Sequence, residues 1–336
     1  MGSSLNRRTA LGLGTLATAG AVFGAPAVAS AAPTSAASGA EPTPLKAARK
    51  VGRVYRRESA AAGGNWQAYV TVNGSSEVAV DDESDTVLEA YSVNKIAVAV
   101  AVLDKVDRGL LTLDQRVDVT AAIVVPGGDG IFSLDGAYPS SVTIGHALAA
   151  LLTVSDDTAV RLCGLVAPAL EINEILVAKG FPNTQVQPVA NPNRFFLGVS
   201  TPRETHDLLR QLVGGTLLSP ASTAAILAKL RAPIAFTDGI RRVMSSDERL
   251  RVATKAGWFD NARHEAGIIF DRAGAPVLTY ALFADGQSGA EDFGATHPAV
   301  QARAKMGRAF IDTIDTLSGD TARTARAPRY QPSNGG

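Results

Sequence analysis

The chain has 336 residues, of which 46% are hydrophobic and 19% charged, a composition that excludes wholesale disorder and suits one large domain or two modest ones. Thirty-two basic residues balance thirty-two acidic ones, which argues against a nucleic-acid partner, because neutralising phosphates needs a basic excess. One cysteine, Cys163, and four scattered histidines, His146, His206, His264 and His297, exclude an intramolecular disulfide and offer no zinc spacing, so no metal or other cofactor is expected.

Residues 1–40 carry no acid. Arg7-Arg8 precede a mild apolar run from Ala10 to Phe23, followed by Pro26 and a small-x-small site at Ala29-Ser30-Ala31. This order matches a signal peptide over residues 1–31 of twin-arginine type, and predicts an exported, secreted protein. The run is shorter than the roughly 20 apolar residues of a membrane span, so no stable anchor is expected. Residues 32–44 read as a flexible linker and 319–336 as a disordered tail, leaving a domain over 45–318.

The body opens with helical spacing from Leu45 to Ala60. Trp66–Val72 and Glu77–Val80 read as two strands around an Asn73-Gly74 turn. Ser92–Arg108 is predicted as one helix stopped by Gly109, with further helices at Thr143–Leu152, Asp157–Val166 and Ile172–Lys179. Pro202–Val213 and Pro220–Leu230 each place proline at the helix start, where its missing N–H costs nothing. Three strands follow, Leu250–Lys255, Glu265–Asp271 and Val277–Phe283, the last two joined by a turn at Gly274, and a helix runs from Pro298 to Leu317. The order implies one antiparallel five-stranded sheet built from both ends of the chain (about 45–90 and 235–318). The terminal helices cover one face, and an all-helical insert occupies about 91–234. The cleft is expected where sheet meets insert.

Three short segments carry chemistry. Ser92 and Lys95 stand three apart, which on a helix puts the amine beside the hydroxyl. Serine is a weak nucleophile until a base takes its proton, and a desolvated neutral lysine can do so. The run Ile96–Leu103 that follows is wholly apolar, so Lys95 starts a buried helix and its pKa should fall. Ser155-Asp156-Asp157 precedes another helix, and taken alone reads as a serine N-cap with acids in the first turn. Lys255-Ala256-Gly257 lies on a strand and taken alone reads as a surface lysine.

Together, and in this order, the three resemble the Ser-x-x-Lys, Ser-Asp-Asn and Lys-Thr-Gly signatures of the penicillin-recognising serine hydrolases, at the separations of the class A β-lactamase branch. Val106–Asp114, Ser200-Thr201-Pro202 and Arg263–Ile269 are also similar to stretches of that family, so the resemblance covers about Leu45 to Leu317. It implies the β-lactamase/transpeptidase-like α/β (α+β) fold. It makes Ser92 the acylated nucleophile, Lys95 its base or relay, Ser155 the proton donor to the leaving group and Lys255 the anchor of a substrate carboxylate. The backbone N–H groups of Ser92 and Trp258 would form the oxyanion hole. The substrate would be a small acyl compound, a β-lactam, peptide or ester, handled by a monomer.

The sequence departs from that pattern at three places. Asp157 replaces an asparagine and, ionised, donates no hydrogen bond; it repels an acyl carbonyl and favours a cationic or donor-rich group. Ala256 replaces a threonine whose hydroxyl helps bind a carboxylate. Residues 183–198 contain no acid where the family places its deacylating glutamate. Gln185 or Gln187 stands roughly there, able to position water but not to deprotonate it. Trp258 adds bulk beside the oxyanion hole. Among substrate-binding candidates are therefore Asp157, Ala256, Gly257 and Trp258. Three readings follow: a secreted acyl-hydrolase acting through a Ser92 acyl-enzyme, a penicillin-binding-protein-like enzyme that releases its acyl group slowly, or a binding protein for β-lactams or wall fragments. Gly127–Phe132 reads either as a loop over the cleft or as a flexible surface loop. His264 reads as a core or surface histidine, with lining the site as the alternative, and Cys163 as a buried, inert small hydrophobe.

Overall fold

The computed structural model describes residues 43–235 and 239–319. The expected signal peptide, most of the linker and all but the first residue of the tail lie outside the described residues. In chain order the elements are α1 (Pro44–Ala62), β1 (Asn65–Val72), β2 (Val80–Asp82), β3 (Leu88–Glu89), a 3-10 turn (Tyr91–Asn94) and α2 (Lys95–Asp107). Then come β4 (Arg116–Val119), α3 (Phe132–Asp135), β5 (Ser140–Thr143), α4 (Ile144–Thr153), α5 (Asp157–Val166), α6 (Ala169–Ala178), β6 (Gln185–Pro188) and β7 (Phe195–Ser200). The chain closes with α7 (Pro202–Val213), α8 (Pro220–Leu230), α9 (Ser246–Arg249), β8 (Val252–Phe259), β9 (Ala262–Phe270), β10 (Pro276–Asp285) and α10 (Pro298–Leu317).

The main sheet is antiparallel throughout in the order β2–β1–β10–β9–β8, so strands from both ends of the domain share it. Successive side chains on a strand point to opposite faces. Ile269 on β9 and Leu278, Tyr280 and Leu282 on β10 therefore pack with α1 and α10. Their neighbours Ile268, Ala281 and Phe283 pack with the insert. With both faces covered, all nine residues of β9 are buried. The insert is organised around α2, where every residue from Lys95 to Leu103 is buried, the pattern of a helix surrounded on all sides.

The insert is not wholly helical. It carries the β4–β5 ribbon, and β6 and β7 join β3 in a three-stranded sheet. These strands escape a periodicity reading because four are four residues or fewer, and β7 is broken by Gly198 at φ +69°. The first hairpin also differs from expectation. The Asn73-Gly74 turn forms as expected, with Ser75 N–H donating to Val72 O at 3.1 Å, but Asn73 N–H also donates to Val277 O and extends β1 along β10. The return strand therefore starts at Val80, opposite Val70, rather than at Glu77. Glu77 instead forms an ion pair with Arg49 of α1 at 2.6 Å. His264 is fully buried; its Nδ1 accepts from Ala284 N, and burial lowers its pKa to about 3. Cys163 is buried too, its thiol pushed up to about 12, which leaves it without thiolate reactivity at neutral pH.

Candidate active site

The 3-10 turn ahead of α2 presents Ser92 at the junction of sheet and insert. Asn94 ties this turn to β7 by donating to Leu197 O and Val199 O at 2.8 and 2.9 Å. Tyr91, immediately before the serine, sits at φ +48°, and Ser155 at φ +56°. Non-glycine residues rarely adopt such angles, and they do so where surrounding packing over-determines the backbone.

Lys95 opens α2 and is fully buried. Its ammonium donates to Ser155 O at 2.5 Å, Ser155 Oγ at 3.1 Å and Asp157 Oδ1 at 2.8 Å. Burial lowers its pKa from the ordinary lysine value, while the Asp157 carboxylate opposes that shift. Three acceptors around one nitrogen suit the ammonium form, which is tied to Ser155 and Asp157 and must lose a proton before it can act as a base.

On the other side, Lys255 of β8 donates to the same Ser155 Oγ at 3.0 Å and to Ala256 O at 2.5 Å. The hydroxyl oxygen thus accepts from two lysines, and its remaining polar capacity is its own proton, which it can donate into the cleft. Ser155 is not the cap of α5. Asp156 takes that place, accepting from Ala159 N at 2.9 Å, because the left-handed backbone at Ser155 turns its side chain toward the lysines instead.

Asp156 also accepts from Ile131 N and Phe132 N at 2.6 and 2.9 Å, while Asp157 Oδ2 accepts from Asp129 N at 3.0 Å. These bonds pin the glycine-rich segment over the cleft, so it is not a loose surface loop. At Gly130, φ is +101° and a Cβ would lie 2.2 Å from Asp156 Oδ2, so only glycine permits this approach. Asp156→Ala leaves three N–H groups without their acceptor. It is expected to cost about 3 kcal/mol, read as a lower urea midpoint; an unchanged midpoint would contradict the pinning role.

The cleft has a volume of about 550 Å³ and is lined by Ser92, Gly127, Gly128, Asp129, Asp157 and Trp258, with Glu89, Tyr91 and Phe259 at one side and Phe196 and Leu197 at another. Trp258 is half-buried and its ring packs on Phe293, with centroids 4.9 Å apart. Gly257 lies where β8 meets the 3-10 turn. A Cβ there would be 2.7 Å from Val93 N and 2.9 Å from Ser92 N. Ala256 is buried, its backbone carbonyl accepting from Lys255.

Ser92, Lys95, Ser155, Asp157, Lys255, Gly257 and Trp258 are therefore brought together. Gln185 and Gln187 are not: Gln185 borders a different cavity with Leu170, Asn173 and Val177, and Gln187 is exposed on β6. The acid-free segment reaches the cleft through Phe196 and Leu197 instead. Sequence reasoning missed Asn94 and the capping role of Asp156, whose partners lie far along the chain; Asp129 was legible only as part of a glycine-rich loop.

Comparison with known structures shows the same fold. The chain resembles a β-lactamase from Sphaerobacter thermophilus DSM 20745 with TM-score 0.65 and 22% identity, covering 77% of this chain and 95% of that one. A β-lactamase from Chitinophaga pinensis DSM 2588 gives TM-score 0.66 and 20% identity over 80% of this chain and 98% of the other. A variant of PBP-A, in an acyl-enzyme complex with penicillin G, gives 0.64 and 19% over 80% and 98%. No curated protein matches the sequence. The family profile described as "Beta-lactamase enzyme family" matches residues 46–314, most of the chain, and with the antiparallel sheet and its helical insert it places this protein in that family.

Proposed function

We propose that the protein is an exported serine acyl-hydrolase that cleaves an amide or ester through an acyl-enzyme on Ser92. The observation that carries this reading is the buried Lys95–Ser155–Lys255 hydrogen-bond chain beside Ser92. In the proposed reaction, Ser92 Oγ attacks the substrate carbonyl and its proton passes to Lys95 in its neutral form. The tetrahedral oxygen takes the N–H groups of Ser92 and Trp258. Ser155 gives its proton to the departing nitrogen or oxygen, is reprotonated from Lys95, and the carbonyl re-forms as the acyl ester of Ser92. Water then attacks that ester, releasing the acid and returning the proton to Ser92. The Arg7-Arg8 leader supports export in the twin-arginine manner.

A second reading is favoured by the wall at residues 183–198. Aromatic and aliphatic side chains, Phe196 and Leu197, line the cleft there, and no carboxylate in that segment can activate water. Acylation without rapid release, as in a penicillin-binding protein, then follows. Nitrocefin hydrolysis by the mature protein separates the two. Linear colour development at many turnovers per Ser92 supports the hydrolase. A stoichiometric burst followed by a near-zero rate supports slow release.

A further inference from the structure

We infer that the cleft selects acyl donors that carry a cationic group in their acyl part, an ammonium or guanidinium; this rests on the proposed acyl transfer at Ser92. The cleft is lined by three carboxylates, Glu89, Asp129 and Asp157, and by aromatic rings that include Tyr91, Trp258 and Phe259. Among the described residues, no lysine or arginine lines this cavity. Lys95 and Lys255 lie beneath its floor, 0% and 2% exposed, and donate to Ser155.

Cations are attracted both to carboxylates and to the faces of aromatic rings, whereas an anion is repelled by the former and gains nothing from the latter. Tyr91 and Phe259 stand with centroids 5.8 Å apart, forming a continuous aromatic wall beside Glu89. The Asp129 carboxylate accepts no hydrogen bond among the described residues, although it is half-buried and faces the cleft. Burial and the neighbouring Asp157 penalise its charge by more than the buried Lys95 and Lys255 favour it, so its pKa is raised. A ligand cation would relieve that penalty directly. The leaving-group end is a poor place for the cation, because Ser155, which would protonate the leaving group, sits between two lysines. The acyl part faces the carboxylates instead.

Three p-nitrophenyl esters of matched length test this: 6-(trimethylammonio)hexanoate, hexanoate and the adipate monoanion. At low ionic strength kcat/KM is expected to be highest for the cationic ester, by about tenfold over the anionic one. Half-molar salt and Asp129→Asn are each expected to shrink that ratio, the first by screening and the second by removing one charge. A wild-type protein that prefers the anionic or neutral ester, or treats all three alike, overturns the inference while leaving acyl transfer at Ser92 intact. If no ester acylates Ser92, binding decides. Quenching of Trp258 in Ser92→Ala by the three corresponding amides then supports cation selection if the trimethylammonio amide binds tightest. It overturns the inference if that amide does not, and in either case the hydrolase reading falls separately.

Discussion

Gly257→Ala is expected to lower acylation of Ser92 by at least about 100-fold while the chain still folds, the size of loss seen when one oxyanion donor is removed. The added Cβ would stand 2.9 Å from Ser92 N, 2.7 Å from Val93 N and 3.0 Å from Ala90 O. All three are backbone atoms, so nothing can swing aside, and β8 or the 3-10 turn must move. Either movement separates the Ser92 and Trp258 N–H groups that would hold the tetrahedral oxygen. The measurement is kcat/KM for an activated ester, with circular dichroism to establish folding. A rate within threefold of wild type would show that this junction is not where the oxyanion sits.

Asp157→Asn is expected to raise acylation at neutral pH by about tenfold, with the ascending limb of the pH–rate profile moved to lower pH. The sign follows from the ion pair. Asp157 Oδ1 lies 2.8 Å from Lys95 Nζ and favours the ammonium, while burial disfavours it. Removing the carboxylate charge leaves burial less opposed, so the Lys95 pKa falls further and the neutral base required by Ser92 is present at lower pH. Asparagine keeps an oxygen for Lys95 but gives up the acceptor now used by Asp129 N. The substrate for this comparison should be a neutral ester, so that changes in cation binding do not enter. An unmoved limb, or one moved to higher pH, would contradict the assignment of Lys95 as base.

Where the sequence carries local chemistry, it reads well. Helices α5, α7, α8 and α10 fall at the predicted residues, because each start is marked within a few positions by an acid or proline and a capping side chain. Most of the sheet built from both ends of the chain was legible for a different reason: β1, β8, β9 and β10 run eight residues or more and each carries a recognisable apolar stretch. What failed depended on distant partners. The first hairpin loop is set by Asn73 pairing with Val277 and by Arg49 holding Glu77. Ser155 looked like a cap because the sequence does not show that two lysines, 60 residues before it and 100 after, converge on its hydroxyl. Gln185 looked like a water-positioning residue by its count along the chain, yet the β6–β7 hairpin turns it to another cavity and brings Phe196 and Leu197 inward. The start of α2 shows a subtler limit. The Ser92–Lys95 spacing implied a shared α-helical face, but Ser92 lies in a 3-10 turn and the Lys95 amine reaches across to Ser155.

Acyl transfer at Ser92 is tested most directly by intact-mass analysis of the protein after incubation with benzylpenicillin and with an activated ester, followed by peptide mapping of any adduct. A covalent acyl group is expected on the peptide containing Ser92 from at least one of the two, and none in Ser92→Ala. An adduct on any other residue, or one that persists in Ser92→Ala, would contradict it.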